Sequence, residues 1–152
     1  MKRQTIVAAN WKMNGGLALV EQMSKALADI SVQPNVDVVV CPSAPYLATL
    51  SGAFASNENN VFVGSQNVSE YDSGAYTGEI STAMLHECMV KYAIVGHSER
   101  RAIYKETSTQ VAHKVKTLLK EGITPILCIG ESEAERTAEQ TETVLAAQLQ
   151  PV

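Results

Sequence analysis

Three short segments carry side chains able to do polar chemistry on a small anion. The first is Ala9-Asn10-Trp11-Lys12-Met13-Asn14-Gly15, where a lysine follows an apolar run directly. An ammonium is a compact cation suited to an anionic group. Asn10 is placed to orient it or to hydrogen-bond a ligand. The same spacing also describes a solvated loop lysine beside a core tryptophan. The second segment is Gly96-His97-Ser98-Glu99-Arg100-Arg101. A glycine lets the chain turn sharply, and a histidine meeting the amides of a helix start is kept neutral by the positive helix end. A neutral imidazole can donate a hydrogen bond to a carbonyl or enediolate oxygen. A structural loop histidine fits the spacing equally. Arg100 and Arg101 read as members of an ion-pair network, for instance with Glu106, before they read as ligands. The third segment is Cys128-Ile129-Gly130-Glu131, whose acid reads as a support for the site or as a cap of the following helix.

The elements that must position these residues follow from hydrophobic periodicity. Five short apolar runs, Ile6–Ala9, Val36–Cys41, Val61–Gly64, Tyr92–Gly96 and Ile123–Ile129, are mostly rich in Val and Ile without polar alternation. That pattern predicts strands buried on both faces of a parallel sheet. Helical stripes fill the gaps. Val20, Met23, Leu27 and Ile30 share one face; Leu47, Leu50 and Phe54 share another, after Pro45 sets the start; 82–89 forms a short third helix. Val111, Val115, Leu118 and Leu119 predict a fourth helix ended by Gly122, with Lys114, Lys116 and Lys120 on its exposed side. A fifth is predicted from near Thr137, where Thr137 and Gln140 are spaced as a capping box, with Val144, Leu145 and Leu149 as its apolar face and Pro151 as its stop. The 15 residues from Ser65 to Glu79 lack periodicity, and a loop of that length in a compact domain is usually functional.

Strand–helix alternation predicts right-handed βαβ units, in either an open doubly wound sheet or a (β/α)₈ barrel. No glycine-rich nucleotide fingerprint follows a strand, which weakens the open sheet. Polar residues gather where strands end: Asn10 and Lys12, Gln66, His97 to Glu99, and Glu131. In a barrel that rim carries the active site.

Composition bounds the rest. The chain has 152 residues, 45% hydrophobic and 18% charged, with 12 basic and 16 acidic residues for a net charge of −4. An ordinary apolar content excludes disorder as the main state. A mildly acidic chain lacks the dense basic surface that nucleic acid or an anionic membrane requires. No apolar run approaches the ~20 residues of a membrane span, and behind the basic start the run Ile6–Ala9 is too short for a signal peptide. Cys41, Cys88 and Cys128 are widely spaced, show no CxxC, and read as buried thiols of a reducing cytoplasm.

The segments are more specific together than singly. Ala9 to Gly15, Gly74-Ala75-Tyr76-Thr77-Gly78-Glu79, Gly96 to Arg101 and Pro125-Ile126-Leu127-Cys128-Ile129-Gly130-Glu131 closely resemble triosephosphate isomerase, in the same order and at matching spacings, from Thr5 onward. The resemblance implies a TIM barrel and an intramolecular aldose–ketose isomerase of glycolysis and gluconeogenesis. It would interconvert dihydroxyacetone phosphate and glyceraldehyde 3-phosphate through an enediolate, with no metal or organic cofactor. By similarity, Asn10 and Lys12 bind substrate and Lys12 counters developing charge. His97 matches the neutral electrophile of the family, whose lowered histidine pKa comes with the resemblance and not from this sequence. Ser98 lies beside the ligand, and Glu99 tunes Lys12 and His97. Met13, Thr77 and Glu79 match dimer contacts, the long loop inserting beside the partner's site, and Tyr76 stands where an aromatic is frequent. The family's general base is a glutamate in a Tyr-Glu-Pro segment after strand six, followed by a lid and two glycine-rich phosphate loops. None of these occurs in residues 131–152. A complete barrel takes ~250 residues. The expectation is therefore a single partial barrel over 1–152, truncated after about five βα units with strands six to eight absent. It would be inactive alone and open at the outer edges of its first and fifth strands. The alternative is a non-catalytic half-barrel that pairs with a second copy or a C-terminal fragment.

Overall fold

Each of the five apolar runs forms a strand in the computed structural model, which describes residues 3–55 and 59–152. Met1 and Lys2 of the basic start lie outside the described residues. The strands are β1 (Thr5–Asn10), β2 (Val36–Cys41), β3 (Val61–Ser65), β4 (Tyr92–Val95) and β5 (Thr124–Leu127). The helices are α1 (Leu17–Ala28), α2 (Leu47–Phe54, led in by one 3₁₀ turn at Ala44–Tyr46), α3 (Thr82–Glu87), α4 (Ser98–Tyr104), α5 (Ser108–Lys120), α6 (Glu133–Thr137) and α7 (Thr141–Leu149).

All pairings are parallel, and strands neighbour one another in chain order, β1-β2-β3-β4-β5. A doubly wound sheet requires a reversal of strand order with helices on both faces. Here the order never reverses, and α1, α2, α3 and α5 contribute Val20, Leu50, Leu85, Val111 and Leu118 to one core with Val40, Val63 and Val95 of the sheet. The five strands curl into part of a barrel. A second cluster fills the opposite face: Val39, Cys41, Tyr92 and Ile94, with Phe62, Ile126 and Cys128 against them. Alternate residues of one strand thus serve two cores, which is why β2 to β4 read as continuous apolar runs.

Gly64 makes the inner cluster possible. A Cβ there would lie 2.6 Å from Cys41 Sγ and 2.9 Å from Val39 Cγ1, so the cysteine occupies the space a side chain would take. At the base of the same face the Tyr92 hydroxyl donates to the buried carboxylate of Asp37, which also accepts from Gln4 Nε2 at 2.7 Å. Burial, and then Asp37, pushes the Tyr92 phenol far above its usual range.

Several expectations are corrected. β1 is exposed along its length rather than buried on both faces: Ile6 is 42% and Val7 55% exposed, because no described element packs on its outer edge. Lys114 is buried, not solvated; it shares the face of Val111, Val115 and Leu118 and bonds the buried carboxylate of Glu106 and Asn67 Oδ1. Leu119, one residue round the helix, is exposed instead. The capping box is Ser132 with Glu135, heading α6, not Thr137 with Gln140. The stretch from Thr137 is a break, where Glu139 turns left-handed (φ 58°) before α7 begins. Val144 and Leu145 of α7 are half-buried, but Leu149 is exposed.

Candidate active site

The carboxyl ends of β1, β2, β3 and β4 open onto one cavity of about 320 Å³, lined among others by Asn10, Lys12, Ser65, Gln66, His97 and Glu99. Parallel strands aligned in register deliver their following loops to the same edge, which is how residues 87 positions apart come to touch.

Lys12 sits in the left-handed region (φ 54°), a conformation that non-glycine residues adopt only when neighbours over-determine it. Three contacts do so. Its N–H donates to Asn10 Oδ1 at 2.9 Å; its carbonyl accepts from Ser43 Oγ and from Gln66 Nε2, both at 2.9 Å. Gln66 also donates to the Cys41 carbonyl at 2.9 Å, tying the ends of β2 and β3 to the loop after β1. The ammonium then reaches Glu99 Oε1 at 2.7 Å. Both partners are about half exposed, so solvent screening leaves the pair little stabilising energy and its consequence is geometric. The hydrogen bond from Lys12 holds the Glu99 carboxyl below the usual carboxylate range.

His97 caps α4. Its Nδ1 accepts the Glu99 N–H at 3.2 Å, and Glu99 Oε2 stands 3.5 Å from the same nitrogen. Only the first contact is within hydrogen-bond geometry, and Lys12 holds the other carboxylate oxygen, Oε1. An acceptor nitrogen carries no proton, so the neutral ring presents Nε2–H. The array can place a cation and a neutral N–H donor at one cavity wall.

The remaining sequence candidates fall into two groups. Met13 and Glu79 line the cavity too, Met13 at 96% exposure. Ser98 and Thr77 are exposed and outside its lining. Tyr76 stacks on Tyr71 with ring centroids 4.0 Å apart, stiffening the long loop. Glu131 faces away: it accepts from Arg136 at 3.0 Å and Thr141 Oγ1 at 3.3 Å, joining α6 to α7, while Ser132 does the capping. Arg100 pairs with Glu106 at 3.1 Å as expected, but Arg101 has no carboxylate within ion-pair distance among the described residues and bonds two main-chain carbonyls and the Ser108 hydroxyl instead. Sequence reading missed Ser43 and Ser65. Both stand at or just past a strand end, a position that signals them, although hydroxyls are too common in loops to stand out by type.

Among the described residues no group of three or more His, Cys, Asp or Glu could hold a metal ion. Burial, and then the neighbouring Cys128, pushes the Cys41 thiol up to about 12, far from a reactive thiolate.

The chain matches the triosephosphate isomerase family over residues 5–152. It is 65% identical to the triosephosphate isomerase of Colwellia psychrerythraea, over all of this chain and 60% of that protein. It is 51% identical to that of Alkalilimnicola ehrlichii (99% of this chain, 59% of that protein). With that of Halorhodospira halophila it shares 47% identity (99% and 58%). The chain thus spans about three-fifths of the length of the curated relatives it matches.

Proposed function

The chain belongs to the triosephosphate isomerase family, and from that premise we propose that its cavity serves the interconversion of dihydroxyacetone phosphate and glyceraldehyde 3-phosphate. The observation that carries the reading is Lys12, Glu99 and His97 meeting at one strand-end cavity. In this reading Lys12 counters the charge of the phosphate and the enediolate, Asn10 holds Lys12 and meets the ligand, and His97 donates its Nε2–H to the substrate oxygen. Ser98 lies beside the ligand and Glu99 tunes both partners. The reaction moves a proton between adjacent carbons, so a base must take the carbon-bound proton. The family's Tyr-Glu-Pro segment is absent from the 152 residues. The chain by itself is therefore proposed to be inactive. A coupled isomerase assay on the purified 152-residue chain tests this, and turnover at the level of a whole isomerase would overturn it. In a protein supplemented with the remaining strands, His97→Gln is expected to lower kcat by about 10²–10⁴-fold.

No described helix is long and apolar enough to cross a membrane; a cytoplasmic location is part of the same reading. So is a homodimer through Met13, Thr77 and Glu79, with the loop of one copy beside the cavity of the other. The exposed β1 favours a second reading, a half-barrel that closes its sheet on another copy or on a C-terminal fragment. Light scattering after size exclusion tests the assembly module: a cooperatively melting monomer of 16.4 kDa rejects it.

A further inference from the structure

The half-buried guanidinium of Arg101 has no carboxylate partner among the described residues, although an unpaired cation is costly to bury. Its donors go to two strand-end carbonyls and one hydroxyl. Nε donates to Gly96 O at 2.8 Å, the second terminal nitrogen to Cys128 O at 3.4 Å, and the first to Ser108 Oγ at 3.0 Å. Gly96 and Cys128 each stand one residue past the β4–β5 ladder, whose last partners are Val95 and Leu127. The guanidinium therefore continues the pairing of two strands where their own register stops.

The same contact decides where His97 points. Gly96 is left-handed (φ 68°), the conformation in which glycine is least restrained by sterics. Its carbonyl belongs to the peptide plane shared with His97. A Cβ at Gly96 would lie 2.7 Å from the Arg101 terminal nitrogen, so the guanidinium sits directly on this hinge. Pinning the carbonyl fixes that plane, and with it the direction of the His97 side chain that must reach the Glu99 N–H.

We infer that Arg101 is a positioning residue, which sets the His97 imidazole in its Nε2–H tautomer by clamping the Gly96 carbonyl to the end of β5 and the start of α5. This rests on the isomerase reading only for the use made of the ring. The test reads the ring itself, so it can fail while that reading stands, and the reverse.

The experiment is imidazole ¹⁵N spectroscopy and amide exchange on the 152-residue chain at about pH 8, above the usual titration range of histidine, with the His97 signal assigned by its loss in His97→Gln. The wild-type chain is expected to show the Nε2–H tautomer and a protected Glu99 amide. Arg101→Met should give mixed tautomers and about tenfold faster exchange at Glu99, the scale of losing one such hydrogen bond. Arg101→Lys, whose ammonium lacks the planar fork, should fall between. An unchanged tautomer and unchanged Glu99 exchange in a folded Arg101→Met chain overturn the inference. If that variant does not fold, Arg101→Lys decides by the same two readings. Loss of the fold in both also overturns it, because the residue would then hold the sheet and not the histidine.

Discussion

Glu106 shows how a single residue links the site to its support. Its side chain is 4% exposed and bonds both Arg100 and Lys114, while its second carboxylate oxygen is buried without a partner among the described residues. Burial alone would raise its carboxyl, but the Lys114 hydrogen bond and charge, followed by Arg100, outweigh it and hold the group below the usual carboxylate range. A depressed folded value means stabilisation that is complete above the unfolded value and lost as pH falls through the folded one. The contribution of Glu106 is thus expected to be full above pH 4.5 and to fade below it. Denaturant titrations of wild type and Glu106→Gln should converge as the solution is acidified, and a pH-independent gap would contradict this. Lys114→Met leaves the carboxylate with Arg100 alone. It should cost about 3 kcal/mol at neutral pH, the lower end for breaking one partner of a buried pair. Lys114 lies three residues after Val111 and four before Leu118, so spacing puts it on the apolar stripe although its residue type suits the exposed side. Lys12, Asn10 and His97 were legible as chemistry. The Ser43 and Gln66 bonds that bend Lys12 into place join residues 31 and 54 positions away, which no local pattern encodes.

Among the elements, strands were easier to read than helix ends. A run such as Val36–Cys41, apolar on both faces but for Asp37, is too short to read as a helix, and its bounds are unchanged in the structure. The last helices offered two capping boxes five residues apart, Ser132 with Glu135 and Thr137 with Gln140. The first is used because both of its bonds form, Ser132 to the Glu135 amide and the Glu135 carboxylate to the Ser132 amide at 2.7 Å. Ser132→Ala should cost about 1 kcal/mol, and a matching loss of helical circular dichroism confined to the C-terminal segment would locate it. At β3 the close approach of Cys41 to Gly64 predicts that Gly64→Ala overpacks the inner cluster. A loss of about 1–3 kcal/mol is expected, read as a lower denaturant midpoint at unchanged slope.

At the scale of the whole molecule, the central strands are sealed and the outer two are not. β4 is buried throughout, whereas Ile6 and Val7 on β1 face solvent and β5 is only partly covered. Sequence could not distinguish β1 from β2, because an apolar run records what a strand is suited to touch and not what touches it. Unpaired apolar edges template pairing with other chains. Self-association of the 152-residue chain should therefore rise with concentration, and Val7→Lys should suppress it without lowering the melting midpoint. Sedimentation velocity across a dilution series measures both chains, and equal association of the two would reject the edge as its cause.

The left-handed turn at Lys12 has a further consequence in time. Its carbonyl waits for Ser43 and Gln66, and its ammonium for Glu99, residues 31, 54 and 87 positions further along the chain. At the usual pace of translation, about 5–20 residues per second, the last of them is made roughly 4–17 s after Lys12. The lysine of the site is thus synthesised well before the residues that set it, and a ribosome paused before Glu99 would carry a nascent chain whose β1 is made and whose cation still wanders.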